Sequence, residues 1–548
     1  MKIDLDREAA YKALLAIERD GSYSNLELSK MLASDELSNK GFIREIVYGV
    51  TENKIYLDYI LDKFIKKGAA KTKLQALIIL RMGVYQILFM NSVPNYAAVN
   101  ESVALARRFA RGTDGFINGV LRNFIRNMDS ASEIDVKGQL EYLSIRYSCQ
   151  LKLVEELVSM LGFEHAKKLL EHAGHRPPLS IRVNIAKISV KELADRLRAN
   201  GFEIDGSKLS DRILLVKGGA LTEANEYKEG LFSIQSEESC AIADFADAKS
   251  TELVVDLCAA PGGKAAAMAE QMLKPSISTE PLAETEPGKQ LLTSTEPLTE
   301  TEPGKQPSTS TEPLTETEPC KKPSTSTEPL AETEPGKQPS TSTEPLTETE
   351  PCKKPSTSTE PLTETEPCKK PSTSTEPLTK TEPGIAGGKV VALELYEHRA
   401  ALIEATARRL GLENIEVRCQ NAVEQIDALV GKADLVLADV PCSGLGVIRR
   451  KPEMKYRDEF DFDELVEIQK GILETGSSYL KPGGRLIYST CTINPRENEL
   501  MVKDFLERHE EFISEKEVKL SPFDNGYDGF YMNKLKKIEG RCPNGCGV

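Results

Sequence analysis

A sixteen-residue unit, STEPLTETEPGKQPST in the copy that starts at Ser294, recurs from Ser278, Ser294, Ser310, Ser326, Ser342 and Ser358 and, truncated, from Ser374. It lacks aromatics, repeats Pro within each copy and offers about one Leu per copy, too little apolar surface to offset the entropy of ordering. A solenoid would need several apolar positions per unit to stack on its neighbours. The stretch 274–386 is therefore expected to be disordered. Its position constrains the fold of everything else. Before it, TELVVDLCAAPGGKAAAMAEQM reads as a buried strand (Leu253 to Leu257), a glycine turn and an Ala-rich helix ending near Met272. After it, GGKVVALELYEHRAALIEATARRLG reads as a strand (Val390 to Leu395) and an amphipathic helix. Joining the flanks restores strand, helix, strand, helix, the pattern of a doubly wound parallel sheet. The insertion then falls in a helix-to-strand connection at the strands' N-terminal edge, away from the carboxyl ends where such sheets bind ligands.

The expected divisions are a helical domain over 1–130, linker helices and a small α+β domain over 131–245, an α/β domain in two parts (246–273 and 387–540) around the insertion 274–386, and a tail over 541–548. Apolar positions recur at helical spacing in Arg7 to Glu18, Asn25 to Leu32, Asn39 to Asn53, Tyr56 to Ile65, Lys73 to Phe89, Ala97 to Phe109 and Gly115 to Asn127. Residues 138–172 read as connecting helices. LSIRVN, KELADRLRANG, FEID, RILLVK and LFSIQ follow as a mixed unit.

The formal charge of −15 by itself argues against a polyanionic partner. From Ser278 to Gly384, however, Glu outnumbers Lys by ten, so only −5 belongs to the rest. Between Lys54 and Arg126 twelve Lys or Arg stand against four Asp or Glu, a surface compatible with phosphates, although a solvated helical face can look the same. No apolar run would span a bilayer and the acidic start MKIDLDREAA is unlike a signal peptide, so a cytoplasmic chain without membrane contact is expected. Eleven cysteines in a reducing compartment read as packing or catalytic before disulfide. Cys542 and Cys546 have no second pair near them, and no metal is expected.

In DLCAAPGGK, Pro261 fixes the turn, and Gly262 and Gly263 are expected to take positive φ and let the backbone approach a ligand. The absence of Gly-Lys-Ser/Thr argues against a Walker loop. Glu394 ends the next strand, placed to accept hydrogen bonds from two ribose hydroxyls. ADVPCSGLG and STCTINPRENE put Cys442 and Cys491 in polar loops after apolar strands, whereas Cys149, Cys240 and Cys419 read as buried packing. Two such thiols beside Asp439 suit addition of a thiolate to C6 of cytosine, which turns C5 into an enamine carbon able to take a methyl group. Asp439 is the group available to the N3 and N4 edge, and Lys264 is a candidate cation to lower the nucleophile's pKa.

DLCAAPGGK, ADVPCSGLGVIRRKPE and YSTCTINPRENE resemble the RNA cytosine-C5 methyltransferases. EIVYGVTENKIYLDYIL, LRMGVYQILFM, VPNYAAVNESVALAR, GFINGVLRNFIR, PPLSIRVN, GLFSIQSEES and DGFYMNKLKK resemble the subgroup that methylates 16S rRNA, the RsmB or Sun type, with an N-terminal domain similar to NusB. The resemblance implies an all-α NusB-like bundle, a small α+β domain and a Rossmann-like domain. It further implies S-adenosyl-L-methionine as cofactor and small-subunit rRNA as partner, at the cytosine the family numbers 967, with a monomer as the expected state. Carried over residue by residue, Cys258, Ala259, Ala260, Pro261, Gly262, Gly263 and Lys264 line the cofactor, Glu394 holds its ribose, and Asp439 lies between cofactor and base. Cys491 is then the nucleophile and Cys442 assists proton removal and release. DNA enzymes of related chemistry attack with the Pro-Cys cysteine instead. Asn421 stands where the family usually has Asp, and an amide can still bond the adenine edge without supplying charge. The intact Cys442, Asp439 and Cys491 argue against an inactive RNA-binding assembly factor, and the NusB-like domain favours ribosomal RNA over tRNA, although nothing in the residues themselves names a nucleotide.

Overall fold

The structure is a computed structural model that describes residues 4–20, 28, 31–32, 37–273, 387–457, 461–523 and 526–539. The expected disorder of 274–386, most of the helix expected from Asn25 to Leu32 and the Cys542/Cys546 tail lie outside the described residues.

Helices α1 (Leu5–Asp20), α2 (Lys40–Glu52), α3 (Lys54–Asp62), α4 (Leu74–Phe89), α5 (Asn95–Phe109) and α6 (Asp114–Arg126) form the N-terminal bundle. Helix α4 is apolar on nearly every side and is its central post, buried from Ala76 to Gln86. Gly49 of α2 permits that closeness, because a Cβ there would collide with the Tyr85 ring. Ile46, Val50, Leu57, Ile60, Leu121 and Phe124 close the core. Among the described residues no helix is long and apolar enough to cross a membrane.

Helices α7 (Gln139–Arg146), α8 (Leu151–Leu161) and α9 (Phe163–Ala173) follow. Their apolar faces pack on Leu445, Ile448 and Met454, far along the chain. The small domain is a four-stranded antiparallel sheet in the order β2-β3-β1-β4, from β1 (Leu179–Val183), β2 (Glu203–Gly206), β3 (Ile213–Lys217) and β4 (Phe232–Ile234). Helix α10 (Val190–Ala199) contributes Leu193, Ala194 and Leu197 to its core.

Helix α11 (Glu237–Ala246) leads into a seven-stranded sheet, ordered β10-β11-β9-β8-β5-β6-β7. Its strands are β5 (Leu253–Asp256), β6 (Lys389–Glu394), β7 (Ile415–Cys419), β8 (Ala433–Asp439), β9 (Leu480–Thr490), β10 (Phe512–Leu520) and β11 (Phe530–Lys537). Helices α12 (Gly263–Met272), α13 (Glu397–Leu410), α14 (Phe462–Tyr479) and α15 (Glu499–Arg508) are interleaved with them. Strands β5 to β9 are mutually parallel, as expected of a doubly wound sheet. The sheet as a whole is mixed, because β11 joins β9 antiparallel and β10 joins β11 antiparallel. This hairpin is absent from the sequence reading: EKEVKL ends in an alternation of charged and apolar residues, as a strand with one face in water does, and NKLKK carries three Lys, so both pass for surface. The chain winds from β5 through β6 to β7 and then returns to β8 on the other side of β5. That places the topological switch point, where doubly wound sheets take their ligands, between β5 and β8.

Candidate active site

The strands β9, β8, β5 and β6 are neighbours, so their carboxyl ends set Thr490, Asp439, Asp256 and Glu394 along one rim. On the β5 side, Asp256 is 1% exposed, and among the described residues no side chain donates to its carboxylate, which only the Cys258 backbone N–H approaches. Burial pushes its pKa up to about 7; Lys264 opposes the shift and Asp439 reinforces it. Glu394 is also buried, with Oε1 accepting from the Tyr396 N–H at 3.2 Å and Oε2 at 3.4 Å from Arg399.

The glycine turn departs from expectation at one residue. Gly262 takes φ +99°, but Gly263 has an ordinary negative φ and opens helix α12. Gly262 also allows α13 to approach, since a Cβ there would lie 3.2 Å from Ile403 Cα. Cys258 and Ala260 are half-buried, Ala259 is buried and Pro261 is exposed. Burial, with Asp256, Asp439 and Glu394 nearby, raises the Cys258 thiol and keeps it protonated. Asn421 is half-buried, and its Oδ1 accepts from the Val423 N–H at 3.2 Å in an Asx turn.

On the β8 and β9 side the register pairs Asp439 with Ser489, whose hydroxyl donates to Asp439 Oδ1 at 2.8 Å. The two cysteine loops that follow these strands meet, with Cys442 Sγ 3.2 Å from Cys491 Sγ and 3.3 Å from the Cys491 N–H. The two thiols are coupled: the bond from Cys442 lowers Cys491, while the same bond and burial raise Cys442. Lys451 and Lys264 also favour the Cys491 thiolate, against burial and Asp439. Lys264, the cation expected beside the nucleophile, has Asp439 as its direct partner, Nζ to Oδ2 at 2.6 Å. Its pKa is raised although burial acts the other way, because Asp439 and Asp256 face it.

Of the cysteines read as packing, Cys149 and Cys240 are fully buried, and burial raises them to about 12 and about 11. Cys419 corrects that reading. It is half-buried at the end of β7, with Sγ 3.6 Å from the Leu395 carbonyl, because β7 is an edge strand.

Asp256, Lys451 and Glu497 are missing from the sequence reading. Glu497 is fully buried and ties the two cysteine loops together. Its Oε2 accepts from the Ser443 N–H at 2.8 Å and Gln469 Nε2 at 3.0 Å; its Oε1 accepts from the Ser443 hydroxyl at 2.6 Å and Asn494 Nδ2 at 2.9 Å. Ser443 follows Cys442 directly, and Thr492, which follows Cys491, lies 2.7 Å from the Ser443 hydroxyl. In ENE, three polar letters of a surface-like run, nothing marks the first as interior. Asp256 could have been found, as an acid closing an apolar strand beside the glycine turn.

A buried carboxylate with unsatisfied oxygens, a second strand-end carboxylate and a glycine turn, on a sheet wound this way, suit the cationic methionine end and the ribose of a sulfonium cofactor. Fold and site together define an S-adenosylmethionine-dependent methyltransferase. Three family models match in turn: the NusB family over residues 5–126, the ferredoxin-like domain of RsmF/B-like methyltransferases over 152–222, and 16S rRNA methyltransferase RsmB/F over 368–536. The chain thus matches the 16S rRNA methyltransferase RsmB/F family over its C-terminal α/β domain, and the NusB and RsmF/B-like ferredoxin families over the parts before it. It is similar to the probable ribosomal RNA small subunit methyltransferase B of Bacillus subtilis strain 168, 28% identical over 98% of this chain and 100% of the relative. It is also similar to the protein of the same name from Synechocystis, 24% identical over 97% and 99%. The crystal structure of PH0851 has the same fold, with a TM-score of 0.64 at 21% identity over 96% of this chain and 98% of that one.

Proposed function

We propose that the chain forms 5-methylcytosine in small-subunit rRNA, at the position the family numbers 967, with Cys491 as covalent nucleophile. The observation that carries this reading is the thiol pair, 3.2 Å apart and one strand from the Lys264–Asp439 ion pair. S-adenosylmethionine supplies an electrophilic methyl group when bound. Asp256, Glu394 and the turn from Cys258 to Lys264 would hold it, and Asn421 would reach its adenine edge. The Cys491 thiolate gives its electron pair to C6 of the base, and the C5–C6 π electrons become available at C5. Asp439, held by Ser489 and Lys264, accepts from the N4 amino group. After methylation Cys442 helps remove the C5 proton, the C5–C6 double bond re-forms and Cys491 leaves as thiolate.

The names of the relatives support rRNA as the substrate class. So does a cavity of about 640 Å³ on the N-terminal bundle, rimmed by exposed Lys66, Lys67, Lys71 and Lys73 around Phe64 and Phe116. The domain divisions near 130 and 245 belong to the same proposal.

The test separates the cysteines. Cys491→Ala should abolish methyl transfer, a loss of at least about a thousandfold, and form no covalent adduct. Cys442→Ala should accumulate an enzyme–RNA complex stable on denaturing gels. A trapped complex with Cys491→Ala alone would reverse the two roles. Bisulfite mapping of rRNA from a deletion strain identifies the nucleotide, and methylation found in tRNA instead would overturn the substrate.

A further inference from the structure

The loop after Cys442 is fastened at three places, and the last reaches the N-terminal domain. Near the thiols, the Gly446 N–H donates to the Cys491 carbonyl at 3.1 Å and the Gly529 N–H to the Gly446 carbonyl at 2.9 Å. The backbones are so close that a Cβ on Gly446 would collide with Gly529. Next, Arg449 and Arg450 both bond the fully buried Asp528, whose N–H donates to Glu238 at 2.9 Å. The third fastening is a plug made by Lys455 and Tyr456.

Tyr456 donates its hydroxyl to the Thr51 carbonyl at 2.5 Å, accepts from the Lys54 N–H at 3.2 Å and lies 2.9 Å from the Ser148 hydroxyl. Lys455, 3% exposed, donates from Nζ to the carbonyls of Glu52 at 2.9 Å and Tyr147 at 3.0 Å, and its own carbonyl accepts from the Gln150 N–H at 2.7 Å. Thr51 and Glu52 end helix α2, so the plug satisfies carbonyls that a helix C-terminus leaves open. Burying an ammonium costs several kcal/mol unless its bonds are good, so mere adhesion between domains would be better served by apolar contact.

We propose that Lys455 and Tyr456 are positioning residues, which lock the loop running from Cys442 to the N-terminal domain so that the thiol pair keeps its geometry only while that domain is in place. The N-terminal domain is thereby part of the active site's frame. Lys451 sits four residues before the plug, and with Cys442, Asp439 and Lys264 it completes the titratable and charged groups facing Cys491. The proposal rests on Cys491 and Cys442 as the reacting pair, a reading that the alanine variants above test separately.

The experiment uses the full chain with Tyr456→Phe, which keeps the ring, and Lys455→Met, which keeps the volume. Cys491 alkylation by iodoacetamide is followed against pH by mass spectrometry, without RNA and well below the melting temperature. It is read beside kcat, the S-adenosylmethionine Kd and the cooperativity of unfolding. Loss of loop position should move the alkylation midpoint up by about half a pH unit or more and lower kcat about tenfold or more, at unchanged cofactor Kd. An alkylation profile and kcat within about twofold of wild type in both variants, with only the melting temperature lowered, would overturn the proposal and leave the plug as structural packing.

Discussion

Two buried carboxylates at the same rim have opposite fates. Glu497, behind the cysteine loops, receives four hydrogen bonds from neutral donors. Asp256, at the end of β5, receives none from a side chain among the described residues, and only the Cys258 backbone eases its burial. A carboxylate can be buried only when its lone pairs are met or its proton is kept. Glu497 takes the first course and its pocket is finished by the chain itself. Asp256 takes the second, and in the proposed function its pocket is completed by the bound cofactor. One side of the rim is therefore built as scaffold and the other as receptor.

The largest effect should come from spoiling the scaffold. Glu497→Gln keeps the shape but turns one acceptor into a donor, which then faces a donor on Ser443, Gln469 or Asn494. Each buried group left unmet costs about 1–3 kcal/mol, so unfolding in urea should show a loss of about 2–3 kcal/mol. Both cysteine loops hang on this one group, so kcat should fall about tenfold or more while the cofactor Kd stays put. An unchanged kcat would show that the thiols hold their spacing without it.

Asp256→Asn should behave in the reverse way. The folded-state pKa of about 7 lies above the usual carboxylate value near 4, so the folded chain holds this proton more tightly than the unfolded one. The stability so contributed is present in full below about pH 4 and is lost as pH rises through 7. An amide does not titrate. The variant should therefore keep its stability up to pH 8, where wild type has lost on the order of a few kcal/mol, while its S-adenosylmethionine Kd rises about tenfold. Urea titrations at pH 5 and pH 8 and calorimetric binding check both. A variant as unstable as Glu497→Gln at pH 8 would break the comparison and make Asp256 scaffold too.

The same contrast separates what the sequence made legible from what it hid. The parallel strands and their helices could be read because a buried strand is a run of apolar letters, and Leu253 to Asp256 and Lys389 to Glu394 lie within about a residue of their expected bounds. Cys442, Cys491, Asp439 and Glu394 were legible as polar residues at the ends of such runs, and the sheet order does bring them to one rim. Glu497 was hidden because its partners come from three segments, residues 443, 469 and 494, and only folding assembles them. The plug was hidden for the same reason, since Tyr456 and Thr51 are four hundred residues apart. Lys264 shows the limit from the other side: its place near the nucleophile was legible, but its partner Asp439 was not.

The smallest effect is expected from the largest change. Deleting Ser278 to Thr373, six whole repeats, removes sequence that joins α12 to β6 at the strands' N-terminal edge, the far end of the sheet from both carboxylates. The chain leaves at Met272 and Leu273 and re-enters at Gly388, where an added Cβ would collide with Met272, so the two ends already lie side by side. Gly388 and Lys389 are held by the carbonyls of Ser250 and Glu252, which the deletion leaves in place. A connection shortened by six units gains only about 1.7 kcal/mol in closure entropy, so no bond at the rim need move. The shortened chain should unfold as cooperatively as the full one, with kcat and cofactor Kd within about twofold. It should also keep the separate responses of the two carboxylates: Glu497→Gln should still cost activity at constant Kd, and Asp256→Asn should still trade affinity for stability at pH 8. Loss of cooperative unfolding would show that the repeats brace the sheet. A change confined to Kd would show that they reach round to the receptor side of the rim, and the division between scaffold and receptor would then have to include them.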